Sequence, residues 1–121
     1  MPFPVDESRI VEAEKQLGRR LPDELRARLL RSNGGEIEVE GDTWTLHPVW
    51  DPTDRKRMAR TANHIVTETR LARTWPGFPP DAVSIAMNAY GDRLIVRPGS
   101  DEIELWDHET GECSPVMIQW A

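Results

Sequence analysis

Three histidines and one cysteine, His47, His64, His108 and Cys113, are the only soft metal ligands in this chain, and Asp107-His108-Glu109 is the one place where a carboxylate adjoins a histidine. No pair has the spacing of a zinc knuckle or of an HExxH helix, so no metal site is expected. Neighbouring residues on a strand point to opposite faces, so Asp107 and His108 are not expected to share one site unless the strand bends there. No GxSxG elbow, SxxK, GxxxxGK[ST] or GxGxxG is present. The expectation is therefore a protein with no catalytic residue, no metal and no cofactor.

Glu14 is the remaining chemical candidate. Ile10, Glu14 and Leu17 fall on one helical face, because residues three and four apart are neighbours at 3.6 residues per turn. A carboxylate among apolar neighbours could serve as an acid of raised pKa. The reading preferred is structural: a buried acid that accepts hydrogen bonds from loop backbone, with the turn at Gly91-Asp92 as its expected partner.

Other residues have the chemistry of binding. Glu36, Glu38 and Glu40 alternate with Ile37 and Val39, so the three glutamates project from one wet face of a hairpin, and Asp42 in its turn completes the acid row as a candidate partner contact. Trp50 and Trp75 lie in proline-flanked loops and are candidate contact anchors, whereas Trp44 and Trp106 are assigned to the core. Arg55, Lys56, Arg57 and Arg60 crowd one helix start, but without an aromatic platform or a helix-turn-helix they make a poor nucleic-acid site.

The elements that must position these groups follow from punctuation. The first helix stops at Gly18. A second begins at Leu21-Pro22-Asp23-Glu24, carries Leu21, Leu25 and Leu29 on one face, and stops at Asn33-Gly34-Gly35. The hairpin turns at Gly41-Asp42 and ends at Pro48. Met58, Ala62, Ile65, Thr69 and Ala72 predict one long amphipathic helix from about Asp54 to Ala72, broken by TWPGFPP. A meander follows: Val83 to Met87, Arg93 to Pro98 with both faces covered, Glu102 to His108 half-exposed, and VMIQW as a last strand.

At 121 residues the chain is read as a single domain, 1–121, able to bury about two thirds of its unfolded surface. One cysteine forms no internal disulfide, the start lacks a secretory signal, and no apolar run is long enough to span a bilayer, so a soluble, cytoplasmic protein is expected. The net charge of -6 lies wholly in residues 81 to 121, with eight acids and two bases; residues 1 to 80 balance. Such a surface disfavours nucleic acid and membrane and favours a basic protein partner.

Taken in order, Ile10, Glu14, Leu17-Gly18, Leu21-Pro22, Leu29, Asn33-Gly34-Gly35, Phe78-Pro79, Val83, Ile85, Gly91-Asp92, Leu94 and Trp106-Asp107-His108-Glu109 resemble the SUKH superfamily. That superfamily takes in a fungal regulator of cell-wall synthesis and many bacterial immunity proteins. The resemblance runs from about Ile10 to Glu109. It implies an α+β fold, N-terminal helices packed on a twisted, mainly antiparallel sheet, without catalytic centre or cofactor. It further implies an immunity protein that neutralises a cognate toxin of nuclease or deaminase type, or alternatively an intracellular regulatory or scaffold module. Two departures stand out: Leu25 occupies a position where relatives commonly carry an aromatic, and a C-terminal helical region is missing, which points to a divergent subfamily or to a surface that a partner completes.

Overall fold

The computed structural model describes residues 2–120. Helix α1, Glu7–Leu17, is capped by the Asp6 side chain on the Ser8 amide and ends at Gly18, whose left-handed backbone (φ 78°) brings its amide to the Glu14 carbonyl. Helix α2, Asp23–Arg31, follows Pro22, and its first turn carries Asp23 and Glu24 against the positive end of the dipole. Leu21, Leu25 and Leu29 are all buried. Asn33 then works as a clamp: its amide donates to the Phe3 carbonyl, its side chain donates to the Val49 carbonyl (3.0 Å), and its Oδ1 accepts the Val49 amide (2.9 Å).

Strands β1, Glu36–Val39, and β2, Asp42–Leu46, form the expected hairpin, with Glu36 opposite Thr45 and Glu38 opposite Thr43. The turn residues are Glu40 (φ 50°) and Gly41 (φ 90°). Two successive positive φ angles match the twist of the flanking strands, which puts the turn one residue earlier than Gly41-Asp42.

The expected long helix is two short ones, α3, Arg55–Arg60, and α4, Ile65–Ala72. Thr61 causes the break: its hydroxyl donates to the Arg57 carbonyl and accepts the Asp51 amide (3.0 Å), tying the end of α3 to the loop before it. Ile65 then donates its amide to the Pro48 carbonyl (2.7 Å), which starts α4 in a new direction. Consequently Met58 and Ala62 face solvent, while Ile65, Thr69 and Ala72 are buried. Arg57 and Arg60 do not meet an uncompensated dipole, since Asp54 caps α3 through the Arg57 amide (2.8 Å).

Strands β3, Val83–Met87, β4, Arg93–Val96, and β5, Glu104–Trp106, form the meander, and two further strands complete the sheet: β6, Cys113–Pro115, and β7, Ile118–Gln119. The antiparallel order is β6-β5-β4-β3-β2-β1-β7. β6 and β7 lie on opposite edges, yet only Val116 and Met117 separate them, a span of about 10 Å at most. The sheet must therefore curl until its edges almost meet. Its concave side holds the main core, with Ile37, Val39, Leu46, Ile85, Leu94 and Val96 against Ile10, Leu25 and Leu29. Alternate residues on β4 and β5, Ile95 and Trp106, point the other way and build a second core with Ala72, Phe78 and Ala82. No helix among the described residues is long and apolar enough to cross a membrane.

Candidate functional site

The carboxylates of Glu36, Glu38, Glu40 and Asp42 are exposed at the far end of the sheet from the second core. Glu36 and Glu38 face Thr45 and Thr43 across the ladder, whereas Asp42 lies opposite Val39 and so shares the other face; Thr43 donates to Glu38 (3.0 Å), and among the described residues no cation pairs with any of the four. The remaining half of the face that carries Glu36 and Glu38 is covered by α4 and the 73–82 segment, so these two glutamates stand on its uncovered half.

The two candidate tryptophans lie elsewhere. Trp50 is 38% exposed and tilts against His64, beside α1 residues Arg9 and Glu12; Trp75 is 50% exposed and meets the His108 ring edge-on. Candidate contacts are thus spread over three places rather than gathered in one. Trp44 and Trp106 are core residues, and Trp106 Nε1 donates to the Gly77 carbonyl (3.0 Å).

Glu14 points inward, with 11% of its side chain exposed, but its partners are not at Gly91-Asp92. It accepts the Leu21 amide (2.6 Å) and both Arg26 Nε (3.0 Å) and Nη2 (3.2 Å), while Arg26 Nη1 reaches Glu7 (2.9 Å). The correction has a simple cause: Gly18 reverses the chain so tightly that the start of α2 arrives over Glu14 before any distant loop can. The hydrogen bonds that Arg26 donates to Glu14, and then to Glu7, hold its guanidinium above its ordinary pKa.

Sequence reasoning missed a polar cluster inside the protein. Arg93 Nη1 donates to Glu68 Oε1 (2.9 Å) and lies 3.4 Å from Ser84 Oγ and 3.5 Å from His47 Nε2, and His47 Nε2 lies 3.0 Å from Ser84 Oγ. Thr69 Oγ1 closes the set by accepting the Ser84 amide (3.0 Å). A serine beside a histidine has the outline of a nucleophile and its base. Burial, and then the neighbouring Arg93 charge, push the His47 pKa down to about 3, so its ring is neutral and a very weak base. Ser84 is fully buried besides. These groups satisfy one another as a core network. The signal was present in the sequence: a strand covered on both faces must also bury its Arg93.

His47 and Glu68 reach the floor of a cleft of about 450 Å³ bounded by Phe3, Asp51, Arg57 and Arg60. The basic run on its wall is engaged within the fold. Arg57 and Arg60 lie 4.0 and 4.7 Å from the centre of the Phe3 ring, and Lys56 lies 5.8 Å from it. Arg57 also pairs with Asp54 and, at 3.8 Å, with Asp51.

Asp107 and His108 do come together, contrary to the strand argument, because β5 ends at Trp106 and a turn follows. With Asp92 they offer ligand atoms within 4.8 Å of one another. Those atoms already hold the turn. Asp92 Oδ1 accepts His108 Nδ1 (2.7 Å) and the His108 amide (3.1 Å), Asp92 Oδ2 accepts Asn88 Nδ2 (3.1 Å), and Asp107 Oδ1 accepts the amides of Glu109 (2.8 Å) and Thr110 (3.2 Å). The Asp92 bond raises the His108 pKa. Burial pulls the Asp92 carboxyl upward, but bonds from His108 and Asn88 outweigh it and leave it below the usual range.

Helices N-terminal to a curled antiparallel sheet define an α+β domain with a half-barrel sheet. The model of the SMI1 / KNR4 family (SUKH-1) matches residues 4–118, and the chain belongs to that family. Comparison with curated proteins and comparison with solved structures each give no match.

Proposed function

We propose that this chain is a non-enzymatic, cytoplasmic binding protein, an immunity protein that neutralises a cognate toxin of nuclease or deaminase type by stoichiometric binding. The observation that carries this reading is the row Glu36, Glu38 and Glu40: exposed, unpaired with any cation among the described residues, and mounted on a rigid hairpin whose other face is core. Such a row repels itself, so an isolated fold gains nothing from it. A protein built to grip nucleic acid is basic, and an acidic blade complements it and speeds encounter. Membership in the SUKH-1 family fits a protein-binding module of this kind.

Co-expression with the protein encoded beside this chain tests the reading. Rescue of growth, weakened by Glu36→Lys, Glu38→Lys and Glu40→Lys together, is expected. Absence of both rescue and complex would favour the second reading, a regulatory or scaffold module, whose loss gives a phenotype in cells that make no toxin.

A further inference from the structure

The curled sheet does not close, and its gap has a chemistry of its own. Between the start of α2, residues 101–103 and β7 lies a groove of about 450 Å³. Its floor is apolar: Ile103, Val116, Ile118 and Trp120 are packed against the main core, and Met117 stands at the lip with 81% of its surface exposed. The floor is preformed, since Val116 donates its amide to the Ile103 carbonyl (3.1 Å) and β7 is paired to β1 through Val39 and Ile118. Four carboxylates rim it, Asp23, Glu24, Asp101 and Glu102. Arg19 pairs with Asp101 and Arg20 with Asp23, leaving Glu24 and Glu102 with no cation within ion-pair distance among the described residues.

An apolar floor inside an acidic rim selects its occupant by charge. We propose that this groove docks an apolar side chain carried on a lysine- or arginine-rich segment of a basic partner protein. A cationic flank meets Glu24 and Glu102, the apolar side chain covers Ile103, Ile118 and Trp120, and Met117 adapts its flexible chain to the contact. A second copy of this chain is opposed by its net charge of -6. The inference rests on the reading that the partner is a basic protein, but it names a different surface from the hairpin. Glu38 shares a face with Gln119, whereas Ile118 shares the opposite face with Val39, so the two surfaces can be altered separately.

The test uses the full chain and a short peptide of lysines around one central leucine, followed by amide shifts in NMR spectra. Shifts centred on Ile103, Ile118 and Trp120 are expected, with affinity falling at least about tenfold when the leucine is replaced by serine. Met117→Ser, Glu24→Lys and Glu102→Lys, each checked for a native spectrum, should weaken binding, while Glu36→Lys should not. No binding, shifts spread over the acidic surface without preference for the groove, indifference to the leucine, or concentration-dependent pairing of the chain through Met117 would each overturn the proposal. Failure to bind the protein encoded next to this chain would instead sink the immunity reading and leave the peptide result to decide the groove.

Discussion

Arg93 on β4 and Glu68 on α4 form a buried ion pair, Nη1 to Oε1 at 2.9 Å, that fastens the helix to the sheet at the floor of the cleft walled by Phe3, Arg57 and Arg60. Each charge is tolerated in the interior because the other is there, with His47 and Ser84 filling the remaining directions. Glu68→Ala should therefore cost about 3–5 kcal/mol by urea denaturation, since it strands a guanidinium. Replacing both partners by apolar residues, Glu68→Leu with Arg93→Met, should recover much of that loss. A cost below about 1 kcal/mol for Glu68→Ala would mean that water reaches the pair.

Acid should loosen the fold through His47. Its pKa is about 3 in the folded chain against about 6.5 unfolded, so between those values the unfolded chain binds the extra proton and stability falls as pH falls. His64, lowered chiefly by burial and further by Arg70, acts in the same direction. His108 acts oppositely: its raised pKa contributes stability that is complete below about pH 6.5 and fades as pH rises through the folded value. Denaturation midpoints taken from pH 7 to pH 4 should fall in the native chain and fall less in His47→Gln.

Glu14 is expected to hold structure and not a partner. Glu14→Ala removes the acceptor of the Leu21 amide and of two of the three carboxylate hydrogen bonds of Arg26, and should destabilise by about 2–3 kcal/mol. Partner affinity of the molecules that remain folded should be unchanged. A variant that keeps its stability but loses binding would reverse this assignment.

The hairpin acids should behave in the opposite way. Glu36→Gln with Glu38→Gln is expected to change stability by no more than about 0.5 kcal/mol, because their cross-strand neighbours are Thr45 and Thr43. The same change should slow association with a basic partner and flatten its dependence on salt. Kinetics in a salt series measure both.

Much of the fold was legible because its signals are local. Gly18 and Pro22 fix where two helices stop and start, and alternation of Glu36, Ile37, Glu38 and Val39 fixes which face of the hairpin is wet. The division of the expected long helix into α3 and α4 was not legible, because the residues of the break, Thr61 to His64, keep helical spacing while a hydroxyl bond to Asp51 redirects the chain. β6 was hidden by its shortness; VMIQW does contain the last strand, β7, but the pairing of β7 with β1 depends on a curl that no local pattern encodes. Site residues divide the same way. Exposure of Glu36, Glu38 and Glu40 follows from a period of two, whereas the network of His47, Glu68, Ser84 and Arg93 joins α4, β3, β4 and the segment after β2. The Phe3 ring beneath Arg57 and Arg60 likewise joins segments more than fifty positions apart in the sequence.

A titration of neutralising power against dose tests the central claim most directly: the chain acts by occupying a basic partner and changes nothing chemically. Purified protein encoded beside this chain is mixed with increasing amounts of it, and residual toxin activity is followed. The account predicts a linear fall that ends near equal molar amounts, with full activity regained once the complex is separated. Neutralisation by a small fraction of an equivalent, or toxin that stays inactive after separation, would show turnover and contradict it.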